Sequence, residues 1–378
     1  MTQLVGEEQP NIGLEGVVVG ETAISNVIGD EGRLIYRGFD IGELAHLPFA
    51  QVVWLVIKGE MPTETEVDAL DNWLVQAGQL SARELRVLEQ LPRDLHPMLV
   101  LQAVTPVVAV QAHGPLASVD SDQLDGLSVA AKISGIVGAW FQLTQHGSFS
   151  QPAEVDSVPL GYKFIHQFLQ RIHPGVEISD AWLKALSCTQ ILQLEHGFNA
   201  GTFSGRVTAS TLAPVQSSLS ASLGTLFGKL HGGADQAAVE MAFDIGSPEK
   251  AEAYVNQVLA NKGKIMGMGH REYKTLDPRA AILKPLAHNL CLGTEHETLM
   301  STLEAVEAAC REEFHHRGKD IWANVEFYKG AVFTALGLPP QFFTATFATA
   351  RVFGYVAHYY EFGQNSRLIR PQAKYVGN

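Results

Sequence analysis

The apolar positions change period once near the start of the chain. Residues 15–38 alternate apolar and polar positions around Gly29-Asp30-Glu31-Gly32, which predicts a small β-hairpin. Beyond it the period becomes helical. Phe49, Val52, Val53 and Val56 share one helical face, and Val67, Leu70, Leu74 and Ala77 share another. Thr63 with Glu66, and Ser81 with Glu84, have the spacing at which each side chain caps the other's backbone N–H, while Gly78 and Pro92 close the two helices.

Two polar stretches, Leu116 to Gly126 and Gly147 to Ser157, read as surface loops because helical periodicity resumes after each. A long helix is expected from Ser179 through Trp182, Leu186, Ile191 and Leu194, delivering Glu195 and His196 at its far end. Ser217 to Leu223 is dense in small residues that allow close helix packing, and it leads into Gly228-Lys-Leu-His231-Gly-Gly, read as a hinge. Ser247-Pro248 has the form of an N-cap with proline at the first helical position, followed by Tyr254, Val255, Val258 and Leu259 on one side. Leu299, Leu303, Val306 and Cys310 form a further stripe ending near Gly318, and a last helix spans Pro340 to Phe362. Pro371 marks the end of regular structure. No repeat of fixed period is present. The pattern predicts an all-α protein with a minor N-terminal β-hairpin: a large helical domain over residues 1–233, a small helical domain over 234–331, and a C-terminal part, 332–378, that returns to the large one.

Composition narrows the classes. With 378 residues and 46% hydrophobic content, the chain can fill two cores. A formal charge of −13 argues against a general role on nucleic acid or acidic membranes, although a local basic pocket could still bind small anions. Cys188, Cys291 and Cys310 are far apart and show no metal-ligand spacing, so they read as reduced structural thiols and no metal is called for. The segment Met1 to Gly13 has no apolar run, and no stretch approaches about 18 uninterrupted apolar residues, so a cytoplasmic location is expected.

His231 lies in Leu-His-Gly-Gly-Ala, where glycines let the backbone bend around a bound group; on its own the motif also fits a satisfied turn residue. The run Gly269-His270-Arg-Glu-Tyr-Lys-Thr-Leu-Asp-Pro-Arg279 is denser. Asp277-Pro278 starts a helix, so Arg279 falls in its first turn, beside backbone N–H groups that favour an anion. An imidazole and a guanidinium there suit a carboxylated carbonyl compound. Arg351 interrupts the apolar helix Phe342 to Phe353 with no acid at i±3 or i±4, so it needs an anion from elsewhere: a distant Asp or Glu, or a substrate carboxylate. Arg367 and Arg370 are similar candidates in weaker context.

His196 in Glu-His-Gly-Phe-Asn-Ala, His231 in Leu-His-Gly-Gly-Ala, the His270–Arg279 run, Asn324-Val-Glu-Phe-Tyr, Ala350-Arg351 and Leu-Ile-Arg370-Pro occur in the order and approximate spacing of the citrate synthase family. Gly13-Leu-Glu-Gly-Val, Tyr36-Arg-Gly and His96-Pro-Met are also similar to it, so the resemblance covers essentially the whole chain. It implies a two-domain citrate synthase-like fold and a homodimer that condenses acetyl-CoA with oxaloacetate and needs no cofactor beyond that substrate. By matching positions, His196, His270, Arg279, Arg351 and Arg370 would hold oxaloacetate, with Arg370 coming from the neighbouring subunit. Asn324 would bind substrate with them, Lys274 would face the CoA phosphates, and His231, His270 and Glu326 would be catalytic.

The family pattern has aspartate where this chain has Glu326. Glutamate keeps the charge, but its extra methylene moves the carboxylate, and a misplacement of about 1 Å can cost on the order of 10²-fold in rate. Restoring aspartate is expected to keep or raise turnover unless the pocket has adapted to the longer side chain. Two other readings stay open: a 2-methylcitrate synthase using propionyl-CoA, and a catalytically silent paralogue that binds CoA or a dicarboxylate.

Overall fold

The computed structural model describes residues 11–110, 116, 118–152, 157–229, 231–363 and 367–377. Leu230, most of the segment before Gly13 and parts of the two polar stretches fall outside them. The described residues form sixteen α-helices and one three-stranded antiparallel sheet.

The sheet is the expected hairpin with one strand added. Ser25–Ile28 pairs with Arg33–Tyr36 in the register Ser25↔Tyr36 to Ile28↔Arg33, and Phe39–Asp40 pairs back onto the second strand. Gly29, in the turn, needs its missing side chain: a Cβ there would lie 2.1 Å from the carbonyl oxygen of Glu272. That contact, with the Lys274 N–H donating to Gly29 O at 3.1 Å, sets the hairpin against the His270 loop. At its other end the hairpin sends in Tyr36, whose buried hydroxyl donates to Glu195 O at 2.8 Å and accepts from Glu195 N at 3.2 Å.

The helices largely follow the sequence pattern. Phe49–Lys58, Glu64–Ala77 and Ala82–Glu89 form as expected, and Thr63–Glu66 and Ser81–Glu84 are both reciprocal capping boxes. Asp180–Leu194 starts at the Ser179 cap and ends at Glu195. Val215–Leu226 packs closely on Ala200–Ala209, with Ser218 Oγ donating to Gly205 O at 2.8 Å. Three boundaries differ from expectation, one of them that of the last helix, which opens with a 3₁₀ turn at Pro340–Phe342 before the α-helix Phe343–Gly363. The first polar stretch does not remain a loop through Gly126; a helix begins at Ser121 from an extended Asp120, because Leu124 and Leu127 already face the core. After Ser247 the chain makes one 3₁₀ turn, Pro248–Lys250, before the α-helix Ala251–Ala260.

The core centres on Phe343–Gly363, which packs against Phe49–Lys58, Ser121–Gln145, Asp180–Leu194, Ala200–Ala209 and Val215–Leu226. Ser121–Gln145 is long and apolar enough to cross a membrane by length and composition, yet it is buried almost throughout. Its Lys132 pairs with Glu84 at 2.5 Å inside the protein. All three cysteines are free and buried.

Candidate active site

The helix Asp180–Leu194 stops because Glu195 turns extended, and Glu195 is fixed by more than the Tyr36 clamp. Its carboxylate accepts from Ser25 Oγ at 3.1 Å and bonds the His358 ring at 3.0 Å. Burial works against its charge, but His358 and Arg351 outweigh that and hold its pKa below the ordinary range. His196 is therefore presented from a rigid stub. Its Nε2 is 3.2 Å from the Tyr273 hydroxyl, and its ring lies 5.4 Å from that of His270.

His270 is held by its own loop. The backbone N–H groups of Glu272 and Tyr273 both donate to its Nδ1, at 3.0 and 3.2 Å, so the neutral ring carries its proton on Nε2. That Nε2 faces Arg279 Nη2 at 3.3 Å. Two donors side by side cannot satisfy one another, and together they define a place for a shared acceptor oxygen. Burial, followed by Arg279, pushes the His270 pKa down to about 4, which keeps the ring neutral.

Arg279 is less free than its sequence context suggests. The anion at this helix N-terminus is Asp277, which accepts from the Arg279 N–H at 3.0 Å and grips the guanidinium through Nε at 3.0 Å and Nη2 at 2.9 Å. Asp277 also accepts from Val325 N at 3.1 Å, tying Arg279 to the helix that carries Glu326. A second tie joins the same regions: Asn324 Nδ2 donates to Gly269 O at 2.8 Å, Asn324 N donates to Gly267 O at 2.9 Å, and Met268 pairs with Ala323. Asn324 in turn caps Val325–Ala335, its Oδ1 accepting from Glu326 N at 3.0 Å.

His231 follows the turn after Val215–Leu226, with its Nε2 3.2 Å from Asn199 Oδ1. Because Asn199 Oδ1 already accepts from Thr202 N, the ring is the donor in this bond. Burial first, then Arg351, lowers the His231 pKa to about 4, and Lys329 adds to the effect. Arg351 is 2% exposed; its Nε donates to Gln193 O at 2.5 Å and its guanidinium lies 4.7 Å from the centre of the Phe347 ring. Among the described residues no carboxylate forms an ion pair with it within 4.0 Å. Its charge also depresses the pKa of His196, which falls well below the usual imidazole value through burial, Arg279 and His270 ahead of Arg351.

His196, His270 and Arg279 are thus in direct contact, with Arg351 acting on His196 and His231. Glu326 is close enough to oppose the fall of the His270 pKa. Lys274 is exposed, with Nζ donating to Arg271 O, and it lines a cavity of about 180 Å³ with His270, Tyr273, Asp320 and Trp322. Arg367 and Arg370 lie on the irregular C-terminal segment; Arg370 is exposed and joins none of these side chains within the chain. Sequence reasoning missed Tyr273, Asn199 and Asp277's double duty, and it overlooked Lys329 and Asp235. Asn199 had a readable signal, as the capping residue of Ala200–Ala209.

A family model described as the citrate synthase C-terminal domain matches residues 13–372. The chain belongs to the citrate synthase family. It is 34% identical to a citrate synthase of Synechocystis, over 97% of this chain and 90% of the relative. It is also 34% identical to a 2-methylcitrate synthase of Shewanella oneidensis, over 97% of this chain and 94% of that one. Among solved structures, a citrate synthase of Thermoplasma acidophilum in ternary complex with carboxymethyl coenzyme A and oxaloacetate superposes with a TM-score of 0.87 at 29% identity, covering 98% of this chain and 97% of that chain. In citrate synthase terms, the expected all-α fold with a minor hairpin is the fold observed.

Proposed function

We propose that this citrate synthase family member condenses acetyl-CoA with oxaloacetate and water to give citrate and CoA. The observation that carries the reading is the pair of convergent donors, His270 Nε2–H and Arg279 Nη2–H, 3.3 Å apart. A ketone oxygen accepting from both would be polarised for attack, and would develop its alkoxide charge against a guanidinium and a neutral imidazole. Arg351, a buried cation without a carboxylate partner within 4.0 Å among the described residues, supplies charge for an oxaloacetate carboxylate.

On the acyl side, a thioester methyl is a weak carbon acid. Glu326 takes the methyl proton, the C–H electron pair moves onto the thioester oxygen, and that oxygen accepts a hydrogen bond from His231. The enolate carbon then bonds to the ketone carbon as the thioester C=O re-forms; the ketone π pair moves onto its oxygen, which takes the His270 Nε2 proton to give the hydroxyl of citryl-CoA, and water then cleaves the thioester to release citrate and the CoA thiol. The His231 N–H now donates to a neutral amide oxygen at 3.2 Å, a weak bond to give up for a charge-assisted one. Asn324 serves as the brace between the His270 loop and Glu326, and exposed Lys274 is proposed to meet CoA phosphate.

We further propose that residues 1–233 with 332–378 form the large domain, that 234–331 form the small one, and that the pair of domains closes over the substrates. Exposed Arg370 fits a role in the site of a second copy. The Shewanella oneidensis relative favours testing propionyl-CoA as a second thioester. One extra methylene discriminates by only about 1–3 kcal/mol. The experiment is thiol release followed with 5,5′-dithiobis(2-nitrobenzoate). CoA must appear only when oxaloacetate and a thioester are both present, with kcat/KM higher for acetyl-CoA than for propionyl-CoA. Ligand binding without thiol release would overturn the reading in favour of a silent paralogue.

A further inference from the structure

The helix carrying Glu326 also carries an ionic cluster with no role in the mechanism so far. Lys329 Nζ lies 2.5 Å from Glu326 Oε2 and 3.1 Å from Asp235 Oδ2. Lys329 and Asp235 are 0% exposed, and the Glu326 side chain is 14% exposed. An ammonium with two carboxylates is costly to bury, so a fold that keeps one gains something other than stability from it.

The geometry says what. Lys329 is one helical turn beyond Glu326, and Asp235 opens the helix Ala234–Ile245 directly after His231-Gly-Gly. The ammonium therefore joins the segment bearing the acid side chain to the segment bearing the imidazole. The two helices approach closely at the next residue, Gly330, where a Cβ would lie 2.3 Å from Val239 Cγ2. With Oε2 held, Oε1 is the oxygen left to receive a proton.

We infer that Lys329, anchored by Asp235, is a positioning residue for Glu326, and that the cluster's negative charge favours the uptake of one proton. The inference rests on the reading of Glu326 as the base. With both acids ionised the cluster carries one negative charge in a dry environment; once Glu326 has taken the methyl proton it carries none. Asp235 is thus essential to the balance although it touches no substrate. Without it, proton transfer would leave an uncompensated buried cation instead of a neutral cluster.

The test uses Asp235→Asn and Lys329→Met, each alone and in a Glu326→Gln background, with thiol release, the KM for oxaloacetate, and the isotope effect with methyl-deuterated acetyl-CoA. Each single variant should lower kcat by about 10- to 100-fold. The KM for oxaloacetate should stay within about twofold of the parent's, as expected for loss of an interaction that matters only in the transition state. The isotope effect should rise, because proton transfer becomes more rate-limiting, a change that a merely structural role would not produce. In the Glu326→Gln background neither substitution should cost anything further. If Lys329→Met does not fold, the double variant Asp235→Asn/Lys329→Met leaves no unpaired charge from this pair, keeps the parent's change of charge on protonation, and must still lose kcat through the lost positioning of Glu326. Parent-like kcat and isotope effect in any folded variant, or an equal further loss in the Glu326→Gln background, would overturn the inference. Failure of the base assignment looks different: Glu326→Gln itself would keep parent turnover, or the parent would release no thiol, and the inference would fall with it.

Discussion

Shortening Glu326 to aspartate is the most informative single change, because the structure reverses what the sequence suggests. Read as a sequence, Glu326→Asp restores the family residue and should keep or raise turnover. In the fold, Glu326 Oε2 is 2.5 Å from Lys329 Nζ. Removing one methylene withdraws the carboxylate by roughly 1.5 Å, the length of one C–C bond. If the backbone stays in place, the separation from Lys329 grows to about 4 Å, the outer limit of an ion pair. At an effective dielectric constant near 20 that retreat forfeits about 2–3 kcal/mol of attraction. The shorter carboxylate then either follows Lys329 away from the acyl group or faces the acyl group without its anchor. Each displacement exceeds the 1 Å that can cost on the order of 10²-fold. Glu326→Asp should therefore lower kcat by about 10²-fold, with the KM for oxaloacetate little changed, measured as steady-state thiol release. An aspartate variant that turns over at or above the parent's rate would refute the argument, and would mean that the backbone readily re-centres this helix.

Three further outcomes follow from contacts already described. Arg351→Met removes the buried cation that has no carboxylate within ion-pair distance among the described residues, and should raise the KM for oxaloacetate about 10- to 100-fold, the cost of a lost charge-assisted hydrogen bond, read by saturation kinetics. Gly29→Ala puts a Cβ 2.1 Å from Glu272 O, so the His270 loop must shift; kcat/KM should fall several-fold while the circular dichroism spectrum is retained. His270 titrates at about 4 when folded and near 6.5 when unfolded, so the unfolded chain binds the extra proton between those values. Stability from this ring is fully present above about pH 6.5 and is lost as pH falls toward 4. Urea titrations of the parent and His270→Gln should show the parent's relative stability dropping by about 1.4 kcal/mol per pH unit in that window.

The local signals in the chain were legible where a residue's partner is near in sequence. Both capping boxes, the Asp277-Pro278 start and the glutamate and histidine at the end of Asp180–Leu194 need only a few residues of context. Arg351 was legible because a guanidinium on an apolar helix has to be answered from outside. What stayed hidden depends on contacts between distant segments. Nothing near Tyr36 predicts that it clamps Glu195, 159 residues away. Nothing near Gly29 shows that it makes room for Glu272. Lys329 is the instructive miss. It too interrupts a buried helix, Val325–Ala335, but Glu326 at i−3 offers it a local partner, so the sequence alone does not single it out. The second carboxylate, Asp235, comes from another helix, and only the fold shows that the pair is buried.

Arg351 and Lys329 both lie against one ring: their charged groups are 4.7 and 4.1 Å from the centre of Phe347. The two cations are compensated in opposite ways. Arg351 has no carboxylate within ion-pair distance among the described residues, whereas Lys329 has two. Arg351 therefore meets the charge of Glu195 only at longer range and keeps a guanidinium without a direct carboxylate partner, whereas the Glu326–Lys329–Asp235 cluster holds an excess of negative charge that burial makes costly. An incoming dicarboxylate relieves the first, and a proton taken from a carbon acid relieves the second. A condensation that brings a keto-dicarboxylate to Arg351 and ionises a thioester methyl at Glu326 delivers both. A merely binding paralogue would use the Arg351 side alone and would leave the cost of the Glu326–Lys329–Asp235 cluster without a return, which is why the isotope effect in Asp235→Asn separates catalyst from binder more sharply than affinity for oxaloacetate does.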